Sequence, residues 1–167
     1  MTTLETDRLL LRPFRETDLA EYREILNDPE SRRFLVDQEW SEEQAWRSIA
    51  TILGHWQLRG YGLWAAQEKA SGRLVGRIGL IRPAGWPGLE VGWLVAPWGR
   101  GSGFATEGGR AAIAFAFETL GASHLISLID PANGASRRVA EKLGESFERQ
   151  VELHGKTLDV YGIGAPA

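Results

Sequence analysis

The segment that decides the fold is residues 95–107, which read VAPWGRGSGFATE. Gly99, Gly101 and Gly103 stand between a run typical of a β-strand and the start of an expected helix. Glycines in that position let backbone N–H groups approach a ligand closely, and the first turn of the helix adds partial positive charge. The segment therefore predicts a phosphate site, with the Arg100 side chain available for a further phosphate oxygen.

Three kinds of phosphate site have glycine-rich loops, and spacing distinguishes them. The P-loop of nucleotide hydrolases requires a Lys after its last glycine, and no Lys occurs in residues 95–107. A dinucleotide-binding loop requires Gly-x-Gly-x-x-Gly, but Thr106 stands where the third glycine would be. The pyrophosphate of coenzyme A (CoA) is the third candidate ligand.

Upstream of the loop, the sequence predicts one strand, two helices and an antiparallel meander. The first strand ends at Pro13, and the first helix begins with a capping box at Asp18 and stops at Pro29. The second helix begins with a capping box at Ser41 and ends at Gly60. Short turns separate the three strands of the meander, residues 61–68, 74–81 and 89–95.

Downstream of the loop, helices and strands alternate. A mostly buried helix is expected over residues 106–120, because its second half is apolar on every side. The remaining elements are a strand over 124–129, a helix over 136–143 and a hairpin with strands 151–153 and 158–160. Without a linker or repeat, residues 1–167 predict a single α+β domain with a mixed, mainly antiparallel sheet of about seven strands and about four helices.

The composition narrows the chemistry and the partners. No cysteine is present, which excludes disulfides, Cys-ligated metals and thiol nucleophiles. The three histidines lie far apart along the chain, so no metal site is expected. A net charge of −3 argues against a nucleic-acid partner, and no apolar run is long enough to predict a membrane segment. Met1 is followed by a polar stretch rather than a signal segment, so a cytoplasmic location is expected.

Three segments carry a resemblance to a known family. Arg100-x-x-Gly103-x-Ala105 resembles the Arg/Gln-x-x-Gly-x-Gly/Ala signature of the GCN5-related N-acetyltransferases (GNAT), and it lies after the fourth strand, as in that family. Residues 4–14 (LETDRLLLRPF) and 133–144 (NGASRRVAEKLG) resemble the opening and the late helix of one branch, which acetylates ribosomal-protein N-termini and small amines. The resemblance covers nearly the whole chain.

The resemblance implies a GNAT-like fold with acetyl-CoA as co-substrate. The pantetheine arm would lie in a V between the fourth and fifth strands and pair with backbone groups of Trp93, Leu94 and Val95. Asn133 and Ser136 would border the far side of the cofactor, although Asn133 alternatively caps the late helix. The pyrophosphate would be held by N–H groups of Arg100, Gly101, Ser102, Gly103, Phe104, Ala105 and Thr106.

Acetyl transfer to an amine needs a base for the amine and a proton for the departing thiolate. Glu90 is the candidate base, because it is the only acid in an apolar strand, and such surroundings raise the pKa of a carboxyl. A structural ion pair is the alternative role for Glu90. Many relatives have a Tyr at the position of Ala140, so the remaining candidate acid is Ser136, unless the thiolate leaves unprotonated. Glu145 is a second departure: the branch usually has an aromatic residue there, and Phe147 is expected to take over its packing.

The resemblance implies an N-acetyltransferase that moves an acetyl group from acetyl-CoA to a primary amine by direct attack on the thioester. The acceptor, a small molecule or a protein N-terminus, stays open, and a homodimer is possible. The alternative is a non-catalytic CoA-binding sensor or partner-binding module. The missing Tyr favours that alternative, whereas Glu90 argues against it.

Overall fold

The computed structural model describes residues 1–35 and 38–166. Its centre is one sheet of eight strands: β1 (Leu4–Glu5), β2 (Leu9–Arg12), β3 (Leu63–Glu68), β4 (Leu74–Ile81), β5 (Glu90–Val95), β6 (His124–Ile129), β7 (Ser146–Leu153) and β8 (Lys156–Gly164). Their order across the sheet is β1-β2-β3-β4-β5-β6-β8-β7. The pair β5 and β6 is parallel, and the other neighbours are antiparallel.

Helices cover both faces of this sheet. In the described part of the chain they are α1 (Leu19–Asn27), α2 (Pro29–Phe34), α3 (Glu42–Arg59), α4 (Phe104–Ala114) and α5 (Gly134–Leu143). Arg77 of β4 donates to the Tyr22 hydroxyl of α1, whereas the adjacent Ile78 packs under Gly108 of α4. Because successive side chains of a strand alternate, α1 and α4 lie on opposite faces of β4.

A glycine lets α4 approach the sheet closely. A Cβ built on Gly108 would lie 2.6 Å from Ile78 Cδ1, so a larger residue would force the Ile78 side chain or the helix to shift. Trp64 lies fully buried in the same core, with ring centroids 5.1 Å from Trp56 and 5.4 Å from Phe115. The start of α4, where the glycine-rich loop ends, is therefore set by packing further along the helix.

The α+β class and the antiparallel meander are confirmed, as are both predicted ends of the second helix. Ser41 and Gln44 form the capping box of α3, and Gly60 ends it with φ +77°. The structure has one more strand and one more helix than expected. β1 was missed because two residues are too short for a pattern, and α2 was missed because Pro29 starts a helix that Asp28 caps at Ser31 N–H.

The predicted capping role of Asp18 is wrong. Its carboxylate accepts hydrogen bonds of 2.8 and 2.7 Å from Arg12 and one of 2.7 Å from the Arg15 N–H. Arg12 and Asp18 are both buried, at 5% and 6% exposure. The pair fixes the turn between β2 and α1.

Replacing Arg12 with Ala should therefore lower the free energy of unfolding by about 3–5 kcal/mol, because Asp18 would keep a buried charge without its partner. Denaturant titration measures this loss. The exposed Arg15→Ala is the matched control, with an expected change within about 0.5 kcal/mol. A loss below about 1 kcal/mol for Arg12→Ala would contradict the burial of this charge.

Candidate active site

The strands β5 and β6 touch at one end and then separate. Glu90 lies opposite Ile126, and the Ile126 N–H donates to the Leu89 carbonyl at 2.9 Å. In the described residues no other register pair joins these strands, although β5 pairs with β4 along its whole length. The two strands thus form a V with its apex at Glu90 and its open end toward Val95.

Side chains occupy the positions that ladder hydrogen bonds would take next to the apex. Ser127 of β6 donates to the Val91 carbonyl of β5 at 2.7 Å. In the other direction, the Leu128 N–H of β6 donates to the Glu90 carboxyl of β5. Each strand therefore contributes one side chain that satisfies the backbone of its neighbour and keeps the pair apart.

Only alternate residues of β5 direct their backbone groups into the V. The Ala96 N–H donates to the Val75 carbonyl of β4 at 2.9 Å. Because an antiparallel ladder alternates, Leu94 also directs its N–H and C=O to β4, and Trp93 and Val95 direct theirs to the open side. The prediction that Leu94 offers its backbone to a cofactor is therefore wrong, while Trp93 and Val95 remain candidates.

The glycine-rich loop follows the open end of β5. Gly101 and Gly103 have φ of +74° and +83°, in the left-handed region that glycine adopts without strain. Gly103 is the N-cap of α4 and provides no capping side chain. The N–H groups of the first turn, at Phe104, Ala105 and Thr106, therefore lack intrahelical partners and are suited to bind an anion.

The Arg100 side chain does not lie free beside this loop, in contrast to the expectation. Its guanidinium donates to the Asp28 carboxylate and, at 3.0 Å, to Ser31 Oγ. It also lies 3.0 Å from a carboxylate oxygen of Glu30. Two carboxylates thus already neutralise Arg100, which ties the loop to α2 rather than offering charge to a phosphate.

A different arginine, which the sequence did not single out, lies at the loop. Arg8 donates to Glu107 of α4 at 2.7 Å and to the Ser102 carbonyl at 2.8 Å. Its guanidinium carbon lies 4.9 Å from the centroid of the Phe104 ring. Thr6 also donates to Glu107, at 2.5 Å, so the segment before β2 holds the first turn of α4.

Glu90 has the electrostatic properties of a base at neutral pH. Burial raises the pKa of Glu90 from 4.5 to about 7. Hydrogen bonds from the Trp86 indole N–H, at 2.5 Å, and from the Leu128 N–H oppose this rise, as does the positive charge of Arg77. A carboxyl that titrates near pH 7 can both accept and release a proton at the working pH of an enzyme.

A second carboxyl, the buried Glu145, lies near the apex. Gly144 ends α5 with φ +90°, and Oε1 of the next residue lies 3.1 Å from Ser127 Oγ. Burial is the main cause that raises the pKa of Glu145 to about 8, and the negative charges of Glu90 and Glu148 raise it further. The sequence showed Glu145 only as a departure from the family pattern. The expected aromatic substitute is absent, because Phe147 is 55% exposed.

The late helix provides fewer contacts to the apex than expected. Asn133 accepts a 3.0 Å hydrogen bond from the Ser136 N–H, which confirms its alternative role as the cap of α5. Among the described residues, no hydrogen bond joins Ser136 to Glu90. Ala140 is fully buried in a cluster with Ile129 and Tyr161, and Trp93 of β5 packs against this cluster.

Residues 1–35 and 38–166 contain neither a candidate metal cluster nor a candidate membrane-spanning helix. No group of three or more His, Asp or Glu side chains is arranged to hold a metal ion. No helix there is long and apolar enough to cross a membrane.

A mixed sheet whose parallel pair splits beside a glycine-rich helix start defines a GNAT fold. The GNAT acetyltransferase domain matches residues 8–146, and the chain belongs to this family. It is an acetyl-CoA-dependent N-acetyltransferase. The resemblance drawn from the three motifs is thereby confirmed at the level of the family.

Individual relatives support this assignment. From Bacillus subtilis, the uncharacterised protein YkkB is 32% identical, covering 96% of this chain and 94% of its own, and the uncharacterised N-acetyltransferase YoaA is 30% identical, covering 98% and 97%. An acetyltransferase from Agrobacterium tumefaciens superposes with a TM-score of 0.87 at 30% identity over 99% of this chain and 95% of that one. RimL, a ribosomal L7/L12 α-N-protein acetyltransferase in complex with CoA, shares the fold with a TM-score of 0.80 at 16% identity over 98% of both chains.

Glu90 should make the folded protein less stable as the pH rises. Its folded pKa of about 7 exceeds the ordinary 4.5, so the folded state holds this proton more tightly than the unfolded state. The resulting stabilisation is complete below about pH 4.5 and is lost as the pH rises through 7. Unfolding free energies measured from pH 5 to 8.5 should therefore fall less steeply for Glu90→Gln than for the wild type. The exposed Glu141→Gln should keep the wild-type slope. If Glu90→Gln also kept that slope, the pKa of Glu90 would not be raised in the folded protein.

Proposed function

We propose that this enzyme acetylates a primary amine, either a protein N-terminus or a small-molecule amine, with Glu90 as its base. The observation that carries the proposal is the V between β5 and β6, which leads from the glycine-rich loop to the carboxyl of Glu90. An anion site at one end and a base at the other suit a long cofactor whose phosphates and reactive group are far apart.

Acetyl-CoA would lie along the open side of β5. The unpaired backbone groups of Trp93 and Val95 are suited to its pantetheine amides, since amides both donate and accept hydrogen bonds. The pyrophosphate would be held by backbone N–H groups of the loop and the first turn of α4, namely those of Gly101, Ser102, Gly103, Phe104, Ala105 and Thr106. Arg100 would act on this loop through Asp28, and Asn133 and Ser136 would border the cofactor from α5. The structure of RimL, which shares the fold, is a complex with CoA and supports CoA as the ligand.

The chemistry of the chain's own residues then follows. The Glu90 carboxylate accepts a proton from the ammonium of the acceptor, directly or through a water, and leaves a neutral nitrogen that can attack. The nitrogen forms a bond with the acetyl carbon and the carbon–sulfur bond breaks. The second proton that the nitrogen loses passes to the departing thiolate, so that CoA leaves as the free thiol, and Glu90 returns its own proton to solvent. Ala140 offers no phenol to that thiolate, and Ser136 keeps a secondary role as a proton donor.

The acceptor would reach Glu90 from the side of two loops. Trp86, in the loop before β5, donates to Glu90 at 2.5 Å, and its ring centroid lies 6.1 Å from that of His154, in the β7–β8 turn. An indole beside a carboxyl suits an ammonium group, because the ring face attracts a cation before it loses its proton. Both acceptor classes carry that group. A homodimer and a cytoplasmic location stay predictions.

Glu90→Gln should lower turnover by about 10²- to 10⁴-fold and leave acetyl-CoA affinity nearly unchanged, because the amide keeps the shape but cannot accept a proton. Release of free thiol over a panel of amines measures turnover, and calorimetry measures affinity. The acidic limb of the rate profile, expected near pH 7, should disappear in this variant. Glu141→Gln is the control. Wild-type turnover with an unchanged acidic limb would assign Glu90 a structural role and leave the proton to water.

CoA should raise the melting temperature by mass action, and Gly103→Val should remove most of that rise. The valine would project where the pyrophosphate must approach and would also strain the left-handed backbone. Gly121→Val is the matched control, since Gly121 also has positive φ, +65°, and open space around its Cβ. The control should melt earlier yet keep its CoA shift. A larger shift with NAD than with CoA would contradict the cofactor assignment.

A further inference from the structure

The Ser127 hydroxyl lies between two acceptors but has one hydrogen. Its oxygen is 2.7 Å from the Val91 carbonyl oxygen and 3.1 Å from Oε1 of Glu145. A carbonyl can only accept, so the hydroxyl hydrogen goes to Val91. The contact with Glu145 is then a hydrogen bond only if Glu145 carries a proton and donates it to Ser127 Oγ.

We propose that Glu145 is a positioning residue of the acetyl-transfer site: as a neutral carboxylic acid it donates to Ser127, which thereby donates to the Val91 carbonyl and holds the apex of the V. The proposal rests on the proposed function and adds a residue to it. Glu145 acts through Ser127 on the Val91 carbonyl of β5. Val91 lies between Glu90, the proposed base, and Trp93, whose backbone groups face the open side of the V.

The surroundings of Glu145 favour the neutral form independently. The residue is 4% exposed, and its Oε2 is buried without a hydrogen-bond partner among the described residues. Leaving a charged oxygen in that position would cost far more than leaving a neutral carbonyl oxygen there. The burial that raises the pKa of Glu145 to about 8 has the same physical cause.

The charged groups around Glu145 act in the same direction. Glu90 on β5 and Glu148 on β7 both repel a negative charge at this position. Glu148 itself pairs with His124 of β6, at 2.6 Å, and with Arg149, at 3.1 Å, so these two basic side chains are engaged by Glu148 rather than by Glu145. On the side of α5, the Glu145 backbone N–H donates to the Ala140 carbonyl at 3.0 Å, and this contact involves no charged group.

Ionisation of Glu145 would reverse the direction of the Ser127 hydrogen. A carboxylate is a stronger acceptor than a carbonyl, so the hydroxyl would turn from Val91 to Glu145. The Val91 carbonyl would then lose its donor while buried, and the apex would lose the contact that sets the spacing of β5 and β6. Activity should therefore fall above about pH 8, where Glu145 loses its proton.

The test compares three variants with the wild type. Glu145→Gln cannot ionise but can still donate an N–H to Ser127, Glu145→Leu cannot donate, and Ser127→Ala removes the hydroxyl that bonds the Val91 carbonyl. Exposed Glu141→Gln is the matched control. The readouts are the infrared carbonyl band of a protonated carboxyl, CoA affinity against pH, and the rate of acetyl transfer against pH.

At pH 7 the wild type should show the infrared band of a protonated carboxyl. In Glu145→Gln that band should lack the contribution of Glu145. Ser127→Ala and Glu145→Leu should each lower turnover at pH 7 at least tenfold, and their combination should lose no more than either alone. Glu145→Gln should recover most of that turnover and should lack the decline above pH 8. Glu141→Gln should retain the band and the decline.

Two results would overturn the proposal. If Glu145→Gln leaves the infrared band unchanged at pH 7, Glu145 is ionised and cannot donate to Ser127. If Glu145→Gln is as inactive as Glu145→Leu with CoA affinity intact, the proton of Glu145 is consumed in the reaction rather than used to position Ser127. The infrared band needs no acceptor amine, so a failure to acetylate any amine would count against the proposed function alone.

Discussion

The structure depends on the separation of two parallel strands that stay joined at one register pair, Glu90 and Ile126. A sheet can open in this way only if the backbone groups freed by the separation find other partners. Next to the apex these partners are side chains, because Ser127 bonds the Val91 carbonyl and Glu90 accepts from the Leu128 N–H. Further along the V no protein group takes their place in the described residues, and the backbone of β5 stays open to a ligand. The same separation creates the cleft and places Glu90, the proposed base, at its closed end.

The open end of the V is held from two directions. Thr6 and Arg8, in the turn between β1 and β2, bond Glu107 in the first turn of α4. Arg100 bonds Asp28 and Ser31, at the start of α2. These contacts pair the two arginines nearest the glycine-rich loop with carboxylates. An anion there would therefore be bound mainly by backbone N–H groups. Because those groups belong to a helix fixed in the core, the loop has its binding geometry before a ligand arrives.

The sequence was sufficient to predict features that depend on residues close together in the chain. The glycine-rich helix start, the Ser41 cap and the single acid of β5 are local patterns, and all three have the expected place in the structure. It failed where a side chain's partner is distant: Arg8 and Glu107 lie 99 residues apart, and Arg100 and Asp28 lie 72 apart. Neither pairing leaves a trace in spacing. Glu145 illustrates the limit most clearly, since its position in the sequence shows an unusual residue but not that it is buried beside Ser127.

Two carboxyls near one apex, Glu145 buried and Glu90 half-buried, cannot both be charged without an electrostatic cost, and the site resolves this by ordering their ionisation. Glu90 receives hydrogen bonds from Trp86 and Leu128 and the positive potential of Arg77, so it loses its proton first. Its negative charge then raises the pKa of Glu145 and keeps that residue neutral over the next pH interval. In that interval Glu90 is ionised, as the proposed base must be, and Glu145 is protonated, as the proposed donor must be. An aromatic residue at position 145 would leave Ser127 without this donor. It would also remove the neighbouring carboxyl that stays protonated when Glu90 is charged. The departure from the family pattern at Glu145 therefore belongs to the same electrostatic arrangement that suits Glu90 to its proposed role as base.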